Sequence, residues 1–183
     1  MKAGRKMMRK TISIGLVVIS LCLFAVPQDQ QEPKRGPATP EETKRFLAIV
    51  HKLEKTPLDP SLNSEAKWAL QWLDDIPEPT INMCFDPLGH FVIEEYRYDS
   101  RIRGLFVLGM GAYLLEHPQK AAANNAIYLA GVESALKAYR SILKTKPEAK
   151  SRALDELVAK EDEGLLADYV RDASKGCEDT NQT

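Results

Sequence analysis

From residue 39 onward, apolar positions recur along the chain with the three-and-four spacing of helices packed on one face. Thr39-Pro40-Glu41-Glu42 sets a capping residue, a proline at the first helical position and a glutamate three after the cap. This is the pattern of a capping box. It predicts a first helix to about Lys55 with Phe46, Ile49, Val50 and Leu53 on its inner face. Asp59-Pro60 offers a second start, after which Ala66, Ala69, Leu70 and Leu73 form an inward stripe flanked by Trp68 and Trp72, and Pro77 and Pro79 end the helix. A third helix is predicted over about Ser100 to Glu116, a fourth over about Lys120 to Lys144, a fifth opening at Pro147 and a sixth after Gly164. The fourth is the most regular, with Leu129, Val132, Leu136, Tyr139 and Leu143 repeating at alternating steps of three and four.

Residues 80–98 change character. Ile81, Met83 and Phe85 alternate with Thr80, Asn82 and Cys84, and Asp86-Pro87-Leu88-Gly89 reads as a turn before Phe91, Tyr96 and Tyr98. The alternation predicts a short β-hairpin-like excursion after the second helix. The fold class expected is therefore all-α, an antiparallel bundle of about six helices carrying that excursion. Gly104, Gly109 and Gly111 in the third helix each cost about 1 kcal/mol against alanine, which predicts close packing against a neighbouring backbone.

The start of the chain is of a different kind. Lys2, Arg5, Lys6, Arg9 and Lys10 precede an uncharged apolar run from Ile12 to Val26, closed by Pro27. Residues 1–26 thus read as a secretory signal. The run of about 15 residues falls short of the ~20 that cross a bilayer as a helix. Ala25 suits the last position before a cleavage site, yet Leu23 stands where a small residue is expected, so an uncleaved anchor is the alternative. In either case the domain lies outside the cytoplasm, periplasmic or extracellular, and touches a membrane only through residues 11–26. Residues 27–38, rich in proline and glutamine, form a flexible tether; residues 39–173 make a single helical domain, and 174–183 a polar tail, frayed apart from Cys177.

The formal net charge of −1 includes the five positive side chains of the first ten residues, so the chain after residue 26 carries −6. Such a domain repels a phosphate backbone, which argues against nucleic acid as a partner. Two cysteines remain beyond the signal, Cys84 and Cys177, and an oxidising compartment makes them a disulfide candidate, within the chain or each with another chain, the alternative being a buried Cys84 and a free Cys177 thiol. No C-x-x-C, P-loop, H-E-x-x-H, G-x-S-x-G or G-x-G-x-x-G is present, so no cofactor and no catalytic framework is expected.

Two clusters carry candidate chemistry. Cys84, Asp86 and His90 lie within seven residues and offer a nucleophile or a metal site to a small exported enzyme. Phe91, Tyr96, Arg97 and Tyr98 combine aromatic rings and a guanidinium, the residue types that dominate protein interfaces. The leading expectation is a non-enzymatic exported protein acting by contact with another protein through those four residues. Ala135-x3-Tyr139-x2-Ile142-Leu143-x3-Pro147 resembles the second helix of a tetratricopeptide repeat, without a paired first helix or a second copy at a 34-residue period. Tyr128-x2-Gly131-Val132-x2-Ala135-Leu136 is similar to a helix of periplasmic immunity proteins, which neutralise secreted bacterial toxins; the cysteines flanking that helix in the family are absent here.

Overall fold

A computed structural model describes residues 35–118 and 124–179. The predicted export signal and residues 27–34 of the tether lie outside the described residues. Seven α-helices follow in order: α1 Pro40–Lys55, α2 Asn63–Asp75, α3 Asp99–Glu116, α4 Asn124–Thr145, α5 Arg152–Asp162, α6 Leu166–Ala173 and α7 Gly176–Asp179. Among the described residues there is no strand, and no helix is long and apolar enough to cross a membrane.

Local chemistry accounts for the helix starts. Thr39 Oγ1 accepts the Glu42 N–H at 3.2 Å while Glu42 Oε2 accepts the Thr39 N–H at 3.1 Å, so both halves of the capping box form. Asp59 caps a short 3-10 turn, Pro60–Leu62, that leads into α2. In α2 the inner face is Ala66, Ala69, Trp72 and Leu73, not the stripe through Leu70. The helix is rotated so that Trp72 packs on Phe46 of α1, ring centroids 4.9 Å apart and planes tilted by 35°, and Leu70 turns outward. The fifth helix begins at Arg152 rather than at Pro147, because Ser151 Oγ accepts the Leu154 N–H at 3.2 Å and sets the start there.

α3 is the central element. Its middle, residues 105–112, is apolar all round and wholly buried, and α3 pairs most extensively with α4, while α1 packs on both and α2 on α1 and α3. Glycine makes the α3–α4 crossing possible. A methyl group on Gly109 would stand 2.4 Å from Ser134 Cβ and 3.0 Å from the Ala130 carbonyl oxygen, and one on Gly131 would stand 2.8 Å from the Phe106 carbonyl oxygen. Gly104 is different, since its nearest contact would be an ordinary 3.8 Å to Leu70. Alanine at 109 and at 131 together is therefore expected to lower stability by about 2–4 kcal/mol, overpacking outweighing the gain in helix propensity, whereas Gly104→Ala is expected to leave it unchanged or raise it by up to about 1 kcal/mol. Thermal denaturation of the variants checks both signs.

The predicted hairpin is not formed. Residues 76–85 run as irregular chain and turn into a 3-10 segment, Asp86–Ile93, kinked at Gly89 with φ 58° and ψ −136°. Pro79 and Pro87 lack the N–H groups that a strand pair needs, and Leu88 and Phe91 are drawn fully into the core instead. The predicted tail is ordered at least to residue 179, because buried Cys177 anchors α7.

Candidate functional site

Three surfaces meet around residues 76–98. The first is the cysteine corner: Cys84 and Cys177 are disulfide-bonded with Cα atoms 5.6 Å apart, which ties the irregular chain to α7 across 93 positions of sequence. The bond leaves Cys84 no thiolate, so the nucleophile reading of Cys84, Asp86 and His90 does not hold in this state. Nor do the three converge. The groups that meet are Cys84, Asp86 and Cys177, while exposed His90 lines a cleft of about 500 Å³ with Ile93, Glu94, Arg152, Ala153 and Glu156.

That cleft rests on a polar network at the start of α5. Glu94 Oε2 accepts the Ser151 hydroxyl at 2.8 Å and the Ala153 N–H at 3.0 Å, adding a carboxylate to the N-terminal turn of the helix. Tyr139 Oη accepts the Ser151 N–H at 2.9 Å and donates to Asp155 Oδ1 at 2.7 Å, and Tyr96 Oη donates to the Ala149 carbonyl at 3.0 Å. Burial, with the neighbouring Tyr98, Glu94 and Asp155, pushes the Tyr96 hydroxyl up to about 12. Burial pushes Tyr139 up as well. These groups are structural, each satisfied by the chain itself.

The four predicted contact residues separate accordingly. Phe91 and Tyr96 are buried, with ring centroids 5.7 Å apart, and pack in the core rather than on an exposed face. Tyr98 is half-buried against Tyr96, and Arg97 alone of the four is exposed. The neighbouring arginines are engaged within the chain, Arg103 with Asp99 at 2.7 Å and Arg101 with Asn63 at 2.7 Å.

An apolar groove lies beside residues 76–83. Of about 760 Å³, it is floored by Leu73, Ile76 and Val107 and walled by Leu70, Pro79, Ile81 and Met83. Met83 is 61% exposed and Leu70 38%, both large apolar side chains left in water. Asp74 and Lys67 of α2 both line the groove, and exposed Asp75 and Glu78 stand close by in the chain. Sequence reasoning missed this site because Leu70 matches the inward spacing of α2, and Met83 sits in the alternation that resembles a strand.

No known protein family, characterised protein or solved structure matches this chain.

Proposed function

We propose that the chain is an exported, non-catalytic helical domain that acts by binding another protein through the groove between α2 and residues 79–83. The observation that carries this reading is the exposure of Leu70 and Met83 around an apolar floor, an arrangement that costs free energy in water and is relieved when a partner covers it. The occupant fitted to it is a protein segment with an apolar anchor and flanking lysine or arginine, since Asp74, Asp75 and Glu78 make this end acidic and the chain after residue 26 carries −6. Export is supported by the basic start, the apolar run to Val26 and a disulfide, which persists in oxidising compartments. An alkaline phosphatase fused after residue 40 should be active in a bacterial host; an inactive fusion would remove export from the account.

The binding test uses a photo-crosslinking residue in place of Met83 in the full chain, expressed in its native cells. Crosslinking to a protein through a basic, apolar segment is expected, and Leu70→Asp with Met83→Asp should weaken that complex by about 2 kcal/mol or more, some thirtyfold, with the melting temperature held. Crosslinks confined to a second copy of this chain, or a complex indifferent to both substitutions, would overturn the reading.

A further inference from the structure

We infer that the disulfide corner becomes a zinc site when the Cys84–Cys177 bond is reduced. Cys84 Sγ, Cys177 Sγ and a carboxylate oxygen of Asp86 all lie within 4.8 Å of one another. Asp86 opens the 3-10 segment, two residues after Cys84, and its Oδ2 reaches over the start of α7, 3.0 Å from where a Cβ on Gly176 would stand. Its carboxylate makes no hydrogen bond or ion pair with the described residues. An exposed carboxylate, with the Tyr169 hydroxyl as its electrostatic neighbour, thus stands beside two sulfurs.

The donor set decides the ion. Two thiolates with one carboxylate suit zinc, and three protein ligands leave a fourth tetrahedral position for water or a donor from another molecule. Zinc–sulfur bonds of about 2.3 Å set tetrahedral sulfurs about 3.8 Å apart, a spacing that small side-chain rotations provide. The backbone positions, 5.6 Å apart at Cα, need not move.

A dithiol reductant delivers two electrons and two protons, the S–S bond breaks, two S–H bonds form and the reductant closes into its own disulfide. Zinc then displaces both thiol protons to solvent and binds the two thiolates and Asp86. The ion closes the same loop that the covalent bond closed, so α7 stays docked on the irregular chain in either redox state. This inference is independent of the groove and its partner.

The test is cobalt and zinc titration of the full chain carrying Cys22→Ser, reduced with a phosphine. One cobalt ion per chain with a thiolate-to-metal charge-transfer band is expected, displaced by zinc, with both thiols shielded from alkylation. Asp86→Asn should weaken zinc binding by at least about tenfold, and oxidised protein should show no band. Absence of the band in reduced protein, an equal band in oxidised protein or in Cys84→Ser with Cys177→Ser, or affinity unmoved by Asp86→Asn would each overturn the site. Far-ultraviolet circular dichroism is followed throughout: helix regained on adding zinc to protein unfolded by reduction supports the site, and failure to regain it counts against.

Discussion

Replacing Tyr96 with alanine is expected to lower stability by about 3–5 kcal/mol, the scale of emptying a buried aromatic site. For a chain of this length that is a fall in melting temperature of about 10 °C or more. The ring is 8% exposed and lies edge-on to Phe91, Tyr98 and Tyr139, with centroids 5.7, 5.8 and 6.3 Å away. Its removal opens a cavity between the 3-10 segment and α4. It also strips the Ala149 carbonyl of its donor just before α5 begins. Tyr96→Phe keeps the ring and loses only that bond, at about 1 kcal/mol, so the two variants separate packing from hydrogen bonding. Tyr98→Ala, half-exposed, should cost less than Tyr96→Ala. A second readout follows from ionisation. The Tyr96 hydroxyl is raised above its ordinary value of about 10, so the stability it contributes is complete below pH 10 and is lost as pH climbs towards 12. Spectrophotometric titration should therefore show Tyr96 ionising late and together with loss of helix, and Tyr96→Phe should reduce the steepness of that loss. An unchanged melting temperature for Tyr96→Ala would return the residue to the surface.

The same residue shows where the sequence stops being legible. The α1 signals are local: a cap, a proline, a glutamate three positions on and a stripe of Phe46, Ile49, Val50 and Leu53, all of which the structure buries as their spacing implies. The disulfide was legible as a candidate from the cysteine count and the expected export, with its pairing open until the two Cα atoms are seen 5.6 Å apart. Burial in the irregular segment is not local. Tyrosines beside arginine and glutamate read equally well as an interface or as core, and only the hydrophobic space left between α4 and α5 decides for Tyr96. Alternation of Ile81, Met83 and Phe85 needs a partner strand to mean a sheet, and none exists among the described residues; the same alternation places Ile81 and Met83 along the groove and Phe85 5.6 Å from the ring of Phe106. The groove was illegible for a similar reason. Helical spacing admits both Leu70 and Trp72 to the inner face of α2, and it is the packing of Trp72 on Phe46 that chooses.

Removing the disulfide by Cys84→Ala with Cys177→Ala is expected to be the most damaging pair of substitutions that leaves every helix sequence between them intact. On the chain-entropy account a loop of 93 residues contributes about 4.7 kcal/mol by restricting the unfolded chain, against a total of about 5–15 kcal/mol for a domain. Alanine is the right replacement because Cys177 is buried on the core, where a serine hydroxyl would add a separate desolvation cost. Beside the covalent tie, Asn82 Nδ2 donates to the Cys177 carbonyl at 3.4 Å, a weak contact. The loss should therefore show two signatures in urea. The midpoint falls, and the slope of free energy against denaturant rises, because an unfolded chain freed of its cross-link exposes more surface. Wild-type protein unfolded in the presence of a dithiol and a metal chelator should superimpose on the alanine pair. An identical midpoint and slope for oxidised wild type and the alanine pair would mean that α7 is held by packing alone and that the covalent tie between residues 84 and 177 adds nothing to the fold.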